Sequence, residues 1–505
     1  MPRRPRLGCR ACTARATLPG SMHFAWMLLA SVLLAGCASP RAFQVQRAPP
    51  GPLPCEVPLA PRDTLVGVAM SGGGSRAALF GASSLEALAG VRTHDGKSVL
   101  DQVAYLSSVS GGSIAASYYV LKKPGREVPM LAPDGTLTPE YRRFFDGYRS
   151  AVSQPIGPSV FWRQMSRFRW INPASGALSL HEILREKLLG DATLMDISRR
   201  EARGDSPGLI VNTTLYNNGR SFALTNHASS VFRYDFFADL EASLARQGKP
   251  ATVPPALRER WQTLLPMTPH EIRFNVCQTL LTAAVSASAS FPPVIGPITF
   301  QVAGDPTFWH AGDGGLYENQ GAETILFMFL RQLQVKKARR ALILAFDSSF
   351  PFAVGDARLN HRAQPFGLLS FDFSRIPSIM EERAITYRSL FFRTLQMQGV
   401  FPDDRTIRLL FLRHIDARFQ PDLSDLPALC RNEKPALQTP AQVRQRLAEI
   451  PTLLRIKSEC EKQLLATAAA KVVAQHRASI LEFLDGAPPA PAPDTPATGA
   501  EPPGR

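Results

Sequence analysis

The sequence lacks the features that mark most nucleic-acid-binding proteins. Its 505 residues carry a formal net charge of +15, which favours an anionic partner. The lysines and arginines are scattered apart from a group at the start, with neither a zinc-finger spacing nor a basic helix followed by heptads. We therefore predict no nucleic-acid partner and consider a membrane surface the better candidate.

Long apolar runs are scarce. The run FAWMLLASVLLAG at residues 24–36 is too short to span a bilayer comfortably and follows five arginines with no acidic residue, as in an export signal. Its end, LAGC, resembles a bacterial lipobox, which implies removal of residues 1–36 and lipidation of Cys37. Ser39 stands two places after Cys37 and no Asp directly follows Cys37, which resembles the pattern for sorting to the outer membrane, facing the periplasm. An ordinary membrane anchor or secretory signal is the alternative.

Cysteine is sparse, and no His/Cys spacing typical of a metal site is present, so we predict no metal. Cys9 and Cys12 form a CxxC inside the predicted signal, where a metal or redox role is not expected. Cys430 and Cys460 could pair in an oxidising periplasm and stabilise the fold by about 3–4 kcal/mol. Two free thiols are an equal alternative.

Buried-strand patterns alternate with helix-like segments along the body of the chain, which predicts an α/β fold with a mostly parallel sheet covered on both faces. The strand patterns are TLVGVAM (64–70), VLDQVAYLSSVS (99–110), GLIVNTTL (208–215), RALILAFDSS (340–349) and TIRLLFLRH (406–414). We divide the chain into a Pro-rich tether, an α/β body, a C-terminal helical extension and a disordered Pro/Ala-rich tail. Their bounds are 37–62, 63–430, 431–485 and 486–505.

A glycine-rich segment, Gly72-Gly73-Gly74-Ser75-Arg76, follows the first strand and precedes a helix. Backbone N–H groups in such a loop can converge on an anion at the positive end of the helix. The segment lacks the GK[ST] ending of a nucleotide-binding P-loop, and Ala77 occupies the last glycine position of GxGxxG. A nucleotide-binding α/β protein is therefore disfavoured.

The stretch AYLSSVSGGSIAASYYV (104–120) is typical of a nucleophile elbow, in which a serine lies on a sharp turn from strand to helix. Ser110 is the central serine of this turn. Ser108 replaces the first glycine of the usual G-x-S-x-G pattern, and Gly112 keeps the last. Ser107 and Ser113 are competing candidates.

A third segment, Asp313-Gly314-Gly315, ends a short apolar strand. In this order, the three segments resemble the patatin-like phospholipase family. The small-residue and F-P-P segment AVSASASFPPVIGPITF (284–300) is also similar to that family, and the resemblance covers roughly residues 62–325. The spacing between Ser110 and Asp313 is long for a compact member, which suggests an insertion between about 125 and 205.

The resemblance implies a three-layer α/β/α fold and a serine acyl hydrolase without a cofactor. Its nucleophile falls on Ser110 and its base on Asp313. Its oxyanion motif G-G-G-x-R falls on Gly72, Gly73, Gly74 and Arg76, with Gly73 and Gly74 amides as donors.

The implied substrates are phospholipids, lysophospholipids or other acyl esters. A catalytically silent lipid-binding envelope lipoprotein is the alternative, and His310 is the alternative base. VFWRQMSRFRWI (160–171) and YRSLFFRTLQMQG (387–399) have compositions suited to a bilayer interface, although a core-facing stripe is the favoured interpretation for each.

Overall fold

The computed structural model describes residues 42–167, 169, 174–292, 295–349, 382–384, 386–387, 390, 405–432 and 436–486. The predicted signal, Cys37, the C-terminal tail and most of 387–399 lie outside these ranges. Within them, every helix is too short or too polar to cross a bilayer.

In the described part of the chain, nine strands form one mixed sheet. They are β1 (Phe43–Val45), β2 (Thr64–Met70), β3 (Val103–Val109), β4 (Gly208–Leu215), β5 (Ser221–Leu224), β6 (Ile298–Val302), β7 (Phe308–Asp313), β8 (Arg340–Asp347) and β9 (Thr406–Arg413). Hydrogen bonds join them in the order β1-β6-β7-β4-β3-β2-β8-β9, with β5 also paired to β4. Pairing is antiparallel only for β5 with β4, β4 with β7 and β6 with β7.

Within the described ranges, the α-helices are α1 (Gly74–Ala89), α2 (Gly111–Lys122), α3 (Pro139–Val152), α4 (Ile156–Ser166), α5 (Ala174–Leu184), α6 (Leu194–Ala202), α7 (Phe236–Arg246), α8 (Pro255–Leu264), α9 (Leu281–Ser288), α10 (Ala322–Gln334), α11 (Ala428–Arg431), α12 (Pro440–Glu449) and α13 (Glu459–Asp485). The stretch predicted as an insertion contains α3 to α6. The predicted helical C-terminal region is confirmed by α12 and α13.

Two hydrophobic clusters cover the two faces of the sheet. Val68 and Leu106 belong to the cluster on the face that carries α1, α2 and α13. Ala69 and Ile343 belong to the cluster on the opposite face, where α10 packs. These alternating residues have opposite side-chain directions because successive residues of a strand face opposite sides of the sheet. The predicted three-layer α/β/α arrangement is therefore confirmed.

The predicted tether of residues 37–62 is folded onto the body from Phe43 onwards. The β1 strand pairs with β6, Leu53 is buried, and Cys55 forms a disulfide with Cys277. The prediction of a free tether is wrong for this part, because its few apolar residues pack against the body despite the surrounding prolines.

A second disulfide joins Cys430 and Cys460. The sequence left this pairing open and gave no partner to Cys55 or Cys277.

Candidate active site

Two strands that end at the site, β3 and β7, meet end to end along the same edge of β4. Asn212 of β4 pairs with Val109 at the end of β3, and the next residue, Thr213, pairs with Asp313 at the end of β7. The opposite edge of Asn212 and Thr213 is occupied by β5. Because β3 and β7 approach from opposite directions, the residue that follows β3, Ser110, lies beside Asp313.

Ser110 has the strained backbone of an elbow, with φ 50° and ψ −118°. A non-glycine residue at positive φ is uncommon and is concentrated at functional sites. The two glycines that follow are required by close packing against the glycine-rich loop and β2. A Cβ at Gly111 would lie 2.0 Å from the carbonyl oxygen of Gly74, and one at Gly112 would lie 2.4 Å from that of Met70.

The competing serines are buried and hydrogen-bonded inside the fold. Ser107 accepts a hydrogen bond from the Asn212 side chain at 2.9 Å. Ser108 donates to the carbonyl oxygen of Ile210 at 3.2 Å and accepts from Ser113 at 3.1 Å. Ser108, which stands where the G-x-S-x-G pattern has its first glycine, is therefore accommodated inside the fold by these hydrogen bonds.

Asp313 is almost completely buried, and its carboxylate is hydrogen-bonded. Its Oδ1 accepts the Gly315 amide at 2.8 Å. Burial raises the pKa of Asp313 to about 7, although the interactions with the Gly315 amide and the neighbouring Ser110 hydroxyl oppose this shift. The pair is thus a hydroxyl next to a carboxylate that can accept its proton near neutral pH.

The glycine-rich loop presents two backbone amides beside this pair. Gly73 and Gly74 have φ 137° and 59°, which side chains rarely adopt, and both line the cavity that contains Ser110. Among the described residues, neither of these amides donates to another group. They are at the N-terminus of α1, where helix amides lack intrahelical acceptors.

The sequence placed Gly72 and Arg76 in the oxyanion hole, and the structure assigns them other contacts. The Gly72 amide donates to the carbonyl oxygen of Asn319 at 2.8 Å. Arg76 is buried and donates to the carbonyl oxygens of Ser348 at 2.6 Å and Ile450 at 2.7 Å. These two residues therefore fix the loop, while Gly73 and Gly74 line the cavity.

His310 is not placed to act as a base. Its Nδ1 is hydrogen-bonded to the Thr299 hydroxyl at 2.9 Å. It lies three residues before Asp313 on β7, so its side chain faces the other side of the sheet. The described residues that line the cavity include no histidine.

A cavity of about 460 Å³ opens above Ser110 and Asp313. Besides these two residues and the glycine-rich loop, it is lined by residues of α4, of the segment after α9, of the turn after β7 and of the segment before α13. These are Gly157, Pro158, Val160, Phe161, Gln164, Ala289, Phe291, Ile295, Gly315, Asn319, Thr452, Leu453, Leu454 and Arg455. Within the described ranges, no cluster of three or more His, Cys, Asp or Glu residues could hold a metal ion.

Sequence reasoning did not assign a role to Ser288. Its hydroxyl accepts the Ser110 amide at 2.9 Å and donates to the carbonyl oxygen of Asn212 at 2.7 Å, which holds the elbow against β4. The signal was present, because Ser288 belongs to the small-residue segment 284–300.

Solved structures with partial similarity include human GIVD cytosolic phospholipase A2, alone and in complex with methyl gamma-linolenyl fluorophosphonate. The first has 14% identity and a TM-score of 0.44, and the complex has 16% identity and a TM-score of 0.37. Each alignment covers 93% of this chain and 64% of the solved chain, so this chain spans less than two thirds of those structures. No curated protein matches the chain.

The model of the patatin-like phospholipase family matches residues 68–326, just over half of the chain. The match spans the glycine-rich loop, the Ser110 elbow and Asp313. The chain therefore belongs to the patatin-like phospholipase family, a family of lipid acyl hydrolases.

Proposed function

We propose that this protein hydrolyses fatty-acyl esters of phospholipids or lysophospholipids through a Ser110–Asp313 dyad. The observation that carries this proposal is the position of Ser110 beside the buried Asp313 carboxylate in one cavity, next to two amides without acceptors among the described residues. This arrangement supplies a nucleophile, a base and oxyanion donors in one cavity.

The reaction has two halves that use the same groups. Ser110 Oγ attacks the ester carbonyl carbon, its proton moves to Asp313, and the oxyanion binds the Gly73 and Gly74 amides. The C–O bond to the alcohol then breaks, and the alcohol takes the proton from Asp313. Water attacks the acyl-Ser110 ester, gives its proton to Asp313, and releases the fatty acid as the proton returns to Ser110. Each oxyanion donor is expected to contribute roughly 100-fold or more in rate.

The surface around the cavity supports a membrane lipid as substrate. Phe161, Trp162 and Met165 of α4 are 57%, 69% and 42% exposed, and Leu453 of the cavity wall is 54% exposed. Core-facing packing, which the sequence favoured for 160–171, is therefore wrong for these three residues, whereas Val160 of the same segment is buried in the core. Tryptophan with neighbouring apolar side chains is suited to the interface of a bilayer.

We also propose that the protein is anchored by lipid on Cys37 to the outer membrane and faces the periplasm. Two disulfides, Cys55–Cys277 and Cys430–Cys460, support an exported location, since such bonds persist in oxidising compartments. An acyl anchor together with positive charge provides two signals for stable membrane attachment.

The test is a lipid panel. Protein lacking residues 1–37 is incubated with vesicles of phosphatidylglycerol and phosphatidylethanolamine, with micelles of a lysophospholipid or with an emulsion of a triacylglycerol, and fatty acid release is measured. We expect release from phospholipid vesicles or lysophospholipid micelles and none with a Ser110→Ala variant. Vesicle binding without fatty acid release by the wild type would overturn the proposal and favour a silent lipid-binding protein.

A further inference from the structure

The segment from Ile450 to Arg455, between α12 and α13, lies far beyond the family-matched residues 68–326 and yet contacts the catalytic loop. The carbonyl oxygen of Leu453 accepts the Ser75 amide at 2.8 Å. The carbonyl oxygen of Ile450 accepts Nη1 of Arg76 at 2.7 Å. Both contacts are made by backbone atoms of the segment, so they depend on its path.

The contact with Ser75 decides which amides remain for an oxyanion. The first amides of α1 have no acceptor within the helix. Leu453 satisfies the Ser75 amide, which leaves those of Gly73 and Gly74 facing the cavity. Packing here is close, because a Cβ at Gly74 would lie 2.5 Å from the carbonyl oxygen of Leu453.

The same segment also fixes the opposite wall of the cavity. The Gly157 amide, in the first turn of α4, donates to the carbonyl oxygen of Leu454 at 2.8 Å. Residues 452–455 themselves line the cavity. One short segment thus links the oxyanion loop to the helix that carries Phe161 and Trp162.

The segment is held from both ends. Ile450 and Ile456 are buried in the main hydrophobic cluster. The Cys430–Cys460 disulfide closes the loop of chain that contains the segment, and Cys460 lies in the first turn of α13. The position of the segment therefore depends on this covalent link as well as on packing.

We propose that residues 450–455 are a positioning element of the active site, which holds the oxyanion loop in its catalytic shape. This inference rests on the proposed hydrolase function. The segment forms no bond with substrate in the reaction, and it acts through the Gly73 and Gly74 amides.

The first experiment compares Leu453→Gly with Leu453→Ala. The Leu453 side chain is exposed, so both variants should fold, and both remove the same apolar side chain from the cavity wall. Glycine also frees the backbone whose carbonyl binds Ser75. With a soluble short-chain ester, we expect kcat of Leu453→Gly to be at least about fivefold below that of Leu453→Ala, with similar KM, because misplaced oxyanion donors slow the chemical step.

The second experiment removes each disulfide in turn. Cys430→Ser/Cys460→Ser should lower kcat per active site by about fivefold or more, since oxyanion donors carry a large share of the rate. Cys55→Ser/Cys277→Ser is the matched control, since it also loses one disulfide but leaves the segment alone, and its kcat per active site should equal that of the wild type. Active sites are counted by titration with a fluorophosphonate, so unfolded protein does not enter the comparison.

Equal kcat values for the two Leu453 variants, or equal effects of the two disulfide variants per active site, would overturn the positioning role. Either result would leave the proposed function unaffected. The proposed function fails only if the wild type does not hydrolyse the ester or if Ser110→Ala still hydrolyses it. If Cys430→Ser/Cys460→Ser yields no folded protein, the Leu453 pair alone decides the question.

Discussion

Val109 and Asp313 pair with neighbouring residues, Asn212 and Thr213, on the same edge of β4. Two strands that run toward each other thus bring Ser110 and Asp313, the proposed nucleophile and base, to one point of the sheet. The proposed reaction therefore depends on the register of β4 with both strands. It also depends on the protonation of the Asp313 carboxyl.

Activity should fall as the pH decreases through about 7, because Asp313 must be ionised to accept the Ser110 proton and burial raises its pKa to about 7. We expect the acid limb of kcat/KM for a soluble ester to be the same in the wild type and in every single His→Ala variant, including His310→Ala. The measurement is a pH–rate profile for each variant. A shifted acid limb in any folded histidine variant would assign that histidine to the mechanism.

Asp313→Asn should stabilise the protein at alkaline pH. The unfolded carboxyl loses its proton near pH ~4, whereas the folded one holds it until about 7, so wild-type stability decreases as the pH rises across this window. Because the variant has no carboxyl to ionise, its free energy of unfolding should exceed that of the wild type by on the order of 2–4 kcal/mol above pH ~8 and by little at pH ~4. Thermal unfolding at both pH values measures the difference, and an equal shift at both would contradict the buried charge.

Ser110→Gly and Ser110→Ala should both be inactive but differ in stability. Glycine relieves the strain of φ 50°, so we expect Ser110→Gly to be more stable than Ser110→Ala by roughly 1 kcal/mol in chemical denaturation. In the wild type, a fluorophosphonate should label Ser110 only. Labelling of Ser107 or Ser113, or turnover by Ser110→Ala, would refute the assignment of the nucleophile.

Trp162→Ala should impair hydrolysis of vesicles more than hydrolysis of a soluble ester, because an exposed tryptophan near the cavity contributes to contact with the bilayer. Leu257→Ala on α8 is the control, since this side chain is 47% exposed and does not line the cavity. We expect the ratio of vesicle to soluble activity to fall about tenfold in Trp162→Ala, the effect of about 1.4 kcal/mol of lost interfacial binding, and to stay constant in Leu257→Ala. Equal ratios in the two variants would remove Trp162 from the interface.

Cys37→Ala should release the full-length protein from the outer membrane or leave an unprocessed precursor, because the lipidated residue is lost. Cys12→Ala changes a cysteine inside the predicted signal and should leave fractionation unchanged. Membrane fractionation and the size of the mature chain provide the measurement. Mature-sized Cys37→Ala protein in the outer membrane would show that the lipobox interpretation is wrong.

Local sequence patterns predicted much of the site, because each of its motifs is a strand followed by a turn. These patterns marked the Ser110 turn, the Asp313 turn, the glycine-rich loop and the α/β layers, and the resemblance to the patatin-like family supplied the proposed roles of the residues. The contacts of Arg76 with Ser348 and Ile450 could not, since they join residues 272 and 374 positions apart along the chain.

Other features were hidden for the same reason. Nothing in the residues around Cys55 indicates Cys277 as its partner, and the proline content of residues 37–62 concealed a strand. Leu453 contacts Ser75 only through its backbone carbonyl, so its side-chain identity carries no signal of that contact. Local periodicity reports which residues are buried, and it does not report which distant segment covers them.

If Cys37 carries the proposed lipid, the strand at Phe43–Val45 limits where the protein can reach a lipid substrate. With a lipid on Cys37, six residue steps separate the bilayer from the first strand, a reach of about 20 Å when fully extended. The cavity mouth would then sample a small disc of the leaflet that holds the anchor, and lipids would reach it by lateral diffusion. Turnover would follow the surface density of lipid in that one leaflet, rather than the amount of lipid in the surrounding volume.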